Sequence, residues 1–91
     1  MGDNPTPTEQ AEEIVDTVID TYNFPTNVEN AYLSNLKKVE LFIAEGKIQP
    51  AINQLNAFIN KVESDYAQGT ITQAIRDDLI GRAQALLADL Q

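Results

Sequence analysis

Apolar residues recur three and four positions apart along most of this chain, in four blocks separated by short polar punctuation. In the first block, Ala11, Ile14, Val15, Val18, Ile19 and Tyr22 share one helical face. Thr6, Pro7 and Glu9 predict its start as a capping box: Thr6 as N-cap, proline at the first helical position, and Glu9 reaching back. Asn23-Phe24-Pro25 ends it, because the residue before a proline is biased away from helical geometry. The predicted helix runs over about 7–23.

The second block repeats the capping-box pattern at Thr26 to Glu29 and predicts a helix over about 27–45. Gly46 stops it, as a residue suited to the left-handed cap. Its apolar positions, from Val28 through Ile43, cover close to half the circumference, enough for two packing partners. The third helix is predicted over about 49–68, with Pro50 in its first turn and Gly69 past its end. Its inner face is Ala51, Ile52, Leu55, Phe58, Ile59, Val62 and Tyr66. The fourth runs over about 72–90 with Thr72 as N-cap; Ile75, Leu79, Ile80, Ala83, Leu86, Leu87 and Leu90 face inward. Gly81 points the other way.

The two later connections are about three residues long, which forces successive helices to lie antiparallel. The expected fold is all-α: an antiparallel up-down-up three-helix bundle with an additional amphipathic N-terminal helix. That helix is expected to bury its stripe on the bundle, where the wide apolar arc of the second helix needs another partner. Residues 7–91 make one domain, and residues 1–6, with "NPTPT", read as a linker or tail.

Composition narrows the chemistry. The chain has 91 residues with no cysteine and no histidine, so thiolate catalysis, thiolate zinc sites and the usual neutral-pH general base are excluded. Net charge is −8, and residues 1–30 hold seven acids with no Lys or Arg. No basic cluster exists to displace phosphate counterions, so no nucleic-acid partner is expected, and anionic membranes are repelled. No apolar run approaches ~18 residues, so no membrane insertion is expected, and the polar start lacks the features of a signal peptide. The pairs Glu12/Glu13 and Asp77/Asp78 point ~100° apart on a helix and read as solvated faces, not carboxylate dyads. A calcium loop begun at Asp65 would place Ala67, Gly69 and Arg76 at its third, fifth and twelfth positions, so it fails as a metal site. No catalytic residue, metal site or cofactor is expected.

The best amphipathic segment, "AINQLNAFINKVES", carries Asn53, Asn56 and Asn60, although asparagine is a mediocre helix former. On a helical wheel these three fall within ~60° of one another, and Gln49 joins them. Such a strip is either a solvated face with an amide or two capping a neighbouring helix, or a surface buried under the first helix. It could also bind sugar hydroxyls or a partner's backbone, since amides donate and accept together. Sugar sites normally add aromatic faces, and Tyr22, Tyr32 and Tyr66 are all expected on core-side stripes.

From about Ala31 onward the chain resembles a known family. The matching residues are "LSNLKKVELFIAEGKIQPAINQLNAFINKVES", then "GTIT", then "DDLIGRAQALL", and "AINQLNAFINKVE" with "LIGRAQALL" is the most specific part. They are similar to the modules called FIMAH, which end many secreted and surface multidomain proteins of bacteria and archaea. The resemblance covers about two-thirds of the chain and leaves out the first helix. It implies a monomeric, non-catalytic accessory module of an extracellular or cell-surface protein, acting as spacer, stabiliser or interaction element. Its partners would be proteins or neighbouring domains of the same chain. The alternative, of a different class, is a glycan-binding module using Gln49, Asn53, Asn56 and Asn60.

Overall fold

The structure, a computed structural model, describes residues 5–91. Most of the segment expected to be linker, residues 1–4, lies outside that range. Helix α1 spans Pro7–Asp16, α2 Thr26–Ala44, α3 Ile48–Ala67 and α4 Gln73–Leu90. The capping box forms as predicted: Glu9 N–H donates to Thr6 Oγ1 at 3.2 Å, and Thr6 N–H donates to Glu9 Oε1 at 2.8 Å. Thr72 likewise caps α4, accepting from the Ile75 N–H at 3.3 Å.

The first helix does not stay α-helical to residue 23. Thr17–Thr21 form a π-helical turn, closed by the Tyr22 N–H donating to the Thr17 carbonyl, five residues back, at 3.3 Å. Thr17 also bonds through Oγ1 to the Glu13 carbonyl at 2.8 Å, a side-chain contact that competes with regular helix pairing. The wider turn delays the phase of the helix. Thr17 and Val18 therefore point inward, and Ile19, expected on the core face, is 45% exposed.

A second expectation also needs correcting. Pro25, not Thr26, occupies the N-cap position of α2, and no side chain caps it. The extended backbone of Pro25 already aims its own carbonyl at the Glu29 N–H, 2.9 Å away, so the helix closes one residue earlier than a Thr26 box would allow. Both glycine stops behave as predicted. Gly46 and Gly69 sit at φ +76° and +80°. Each is followed by the same paired contacts: Lys47 N–H to Phe42 carbonyl with Gly46 N–H to Ile43 carbonyl, and Thr70 N–H to Asp65 carbonyl with Gly69 N–H to Tyr66 carbonyl.

The helices pack as a closed ring: α1 against α2 and α4, and α3 against α2 and α4. The chain is thus all-α, and the additional helix completes the bundle by bridging its outer two helices. Ile14, Val18, Tyr32, Leu36, Leu55, Phe58, Leu79 and Leu86 are fully buried at its centre. Each aliphatic or aromatic side chain so placed contributes about 1.5–3 kcal/mol through burial. Four rings run through one end of this core, Tyr22 to Phe24 to Tyr32 to Phe58, with centroids 5.3–5.5 Å apart. Tyr66 does not join them. It is 38% exposed and lies under the Arg76 guanidinium, 5.2 Å from the ring centroid.

Candidate functional site

The amide strip lies on the outward face of α3. Gln49, Asn53, Asn56 and Asn60 are all exposed, because Leu55, Phe58 and Val62 turn the opposite face inward. Gln49 Nε2 donates to Asn53 Oδ1 at 3.0 Å, one turn along the same helix. The strip is not buried under α1, which packs on α2 and α4 instead. Nor does it cap a helix: the side-chain caps among the described residues come from Thr6 and Thr72. Each asparagine in a helix interior costs about 0.6 kcal/mol against alanine, so the three together cost about 2 kcal/mol. Residues 48–60 also carry no charge, the longest such stretch among the described residues, with Lys47 before it and Lys61 after it.

Other amides are used inside the fold. Gln54 Nε2 donates to Asn35 Oδ1 between α3 and α2, where both side chains are half-buried. The contrast separates a structural amide pair from the solvent-facing strip.

Two tyrosine–aspartate contacts hold the helices in register, and the sequence reading did not foresee them. The Tyr32 hydroxyl donates to Asp65 Oδ2 at 2.6 Å, both residues buried, and Lys61 Nζ lies 3.1 Å from Asp65 Oδ1. The Tyr22 hydroxyl donates to Asp78 Oδ2 at 2.7 Å, and Arg82 Nε donates to Asp78 Oδ1 at 3.0 Å. In each case one carboxylate oxygen takes a phenol from another helix and the other takes a cation one turn away on its own helix. Burial, reinforced by the hydrogen bond and charge of Asp65, raises the Tyr32 pKa far above its ordinary value. Burial, then Asp78, also raises that of Tyr22, with Arg82 opposing. These phenols stay protonated, as structural donors. A signal for the first pair was present: Asp65 follows Phe58 by seven residues and Val62 by three, a core phase that calls for a buried partner.

Arg76 fastens the α3–α4 turn. Its Nε and Nη2 donate to Glu63 Oε1 and Oε2 at 2.6 and 3.1 Å, and Nη1 donates to Asp77 Oδ1 at 2.7 Å. Two shallow grooves flank α1. One, of about 350 Å³, lies toward α2 and is lined by Glu12, Val15, Asp16, Lys37 and Glu40. Burial raises the Glu40 pKa above the usual carboxylate range; Lys37 opposes the shift, and Glu12 and Asp16 add to it. The other, of about 190 Å³, lies toward α4 between Ile14, Glu13, Arg82 and Ala85. Among the described residues, no group of three or more acidic side chains is placed to hold a metal ion. No helix among them is long and apolar enough to cross a membrane.

The model of the FIMAH domain family matches residues 8–88, nearly the whole described chain. The chain belongs to the FIMAH domain family. The match begins inside α1, so the first helix is part of the family unit, although the resemblance read from the sequence left it out. Comparison with curated proteins and with solved structures finds no match. Within this FIMAH domain, the closed ring of helices explains why α1 belongs: Ala11, Ile14, Val15 and Val18 are buried where α1 meets α2 and α4.

Proposed function

We propose that this FIMAH domain is a non-catalytic, monomeric accessory module of a larger extracellular or cell-surface protein, and that it displays an interaction surface. The observation that carries this reading is the contact between Gln10 Nε2 and Asp89 Oδ2, which brings the start of α1 and the end of α4 together. An antiparallel ring of four helices enters and leaves at one end. Such a module adds little length between flanking domains, so display and stabilisation suit it better than spacing. The remaining surface, including the outer face of α3, points away from that end. A non-catalytic role is supported by the lack of Cys and His and by the engagement of Glu63, Asp65 and Asp78 with tyrosine or cationic partners.

The test uses the absence of native cysteine for clean labelling. Fluorophores on Thr8→Cys/Ala88→Cys should show efficient energy transfer, and on Thr8→Cys/Thr70→Cys markedly less. Flanking reporter domains should then sit side by side in small-angle scattering. An extended arrangement of the reporters would contradict display, and reproducible turnover of ester, glycoside or phosphate probes by the purified chain would contradict the non-catalytic assignment.

A further inference from the structure

We infer that the outer face of α3 is a docking surface for an uncharged, hydroxyl-rich polymer, a neutral polysaccharide, held by Gln49, Asn53, Asn56 and Asn60. This deepens the display reading above and rests on it. Three observations converge on this face. Its amides are exposed and uncommitted to any neighbouring helix, whereas Asn35 and Gln54 show what a structural amide pair looks like in the same protein. The asparagines weaken the helix that carries them, and a local rule broken without structural return is the mark of a surface kept for binding. The face is also electrically neutral over residues 48–60, in a chain of net charge −8.

Charge selects the occupant. The acids of α1, Glu9, Glu12, Glu13 and Asp16, together with Glu40 and Glu45 of the α2 side, repel anionic polymers. A neutral glycan meets no such barrier. Each of its hydroxyls both donates and accepts, as each side-chain amide does. Gln49 to Asn60 span eleven residues of helix, roughly 16 Å, so the amides meet several consecutive sugar units along one line. No aromatic platform lies on this line, since one side of the nearest half-exposed ring, Tyr66, is covered by Arg76. Binding is therefore weak per site, on the order of millimolar, and gains strength from repeated engagement along a polymer.

The experiment is an amide-resolved NMR titration with neutral oligosaccharides (gluco-, xylo- and manno-series) and with an anionic oligosaccharide as control. Shifts confined to residues 49–60, saturating at millimolar neutral glycan and missing with the anionic one, are expected. The triple variant Asn53→Ala/Asn56→Ala/Asn60→Ala should melt higher than the parent and lose those shifts. No movement of residues 49–60 with any neutral series, equal response to the anionic control, or binding retained by the triple variant would overturn the proposal. A lower melting temperature of that variant would also overturn it, by giving the amides a structural role. None of these outcomes bears on the end-to-end geometry tested above, so the two readings fail separately.

Discussion

Tyr32 and Asp65 stand 33 residues apart in the chain, yet the phenol of one donates to the carboxylate of the other at 2.6 Å inside the core. The bond joins the first half of α2 to the last turns of α3, and it sets the register of that hairpin. A hydrogen bond to a buried charged acceptor contributes about 1.5–3 kcal/mol. Tyr32→Phe should therefore destabilise the domain by about 2 kcal/mol, with Tm lower by roughly 10 °C. Urea unfolding of Tyr32→Phe, Asp65→Ala and the double variant measures the coupling; additive losses would show that the contact carries no energy of its own.

The same phenol makes the domain sensitive to base. The Tyr32 pKa is raised from its ordinary value of 10.0, by burial first and then by Asp65, so the folded state holds the proton more tightly than the unfolded chain. The stabilisation from this proton is fully present below pH ~10 and is lost as pH rises above that value. Unfolding free energy should fall steeply above that pH in the parent and less steeply in Tyr32→Phe, followed by circular dichroism. Parallel pH profiles for the two proteins would contradict the assignment.

Glu40 acts in the acid range with the same sign. Its pKa is raised by burial, against Lys37, and further by Glu12 and Asp16 across the α1–α2 groove. A carboxyl with a raised folded pKa contributes most when protonated, and that contribution is lost as pH rises through the carboxylate range. Glu40→Gln should thus melt above the parent at pH 7, and the difference should close as pH falls toward 4. A lower melting temperature at pH 7 would indicate that Lys37, and not the two acids, governs the groove.

Three helical or cap glycines give opposite expectations. A methyl group on Gly81 meets nothing within 4 Å and its backbone is helical, so Gly81→Ala should stabilise by about 1 kcal/mol. Gly46 and Gly69 also have open space, but their φ of +76° and +80° strains any side chain. Gly46→Ala and Gly69→Ala should each destabilise by about 1 kcal/mol. Thermal melts of the three single variants decide this; a loss at Gly81 would reveal a role for its small surface that the packing does not contain.

Much of the fold was legible because helix starts and stops are local chemistry. Thr6 with Glu9, Thr72, Gly46 and Gly69 each satisfy backbone groups a few residues away, and each acted where the sequence put it. The departures arose where distant chain decides. The π-helical turn after Asp16 turned Ile19 outward. Pro25 took the capping position from Thr26 through its own carbonyl. Asp65 entered the core because Tyr32 and Lys61 meet it there, and Tyr66 moved to the surface beneath Arg76. Of the candidate site, the exposed amide strip was readable from helical phase alone. That it caps no helix and lies on the side away from α1 was not, because the position of α1 depends on packing between helices far apart in sequence.

The central claim is that α1 is an integral wall of a closed four-helix ring whose two ends meet at Gln10 and Asp89. Native-state hydrogen exchange tests it in the intact chain. The amides of Val15 and Val18 should exchange only through global unfolding, with the same free energy and urea dependence as those of Leu36 and Leu55. Exchange from α1 at a much lower free energy, with α2, α3 and α4 still protected, would contradict the closed ring and make α1 a detachable arm.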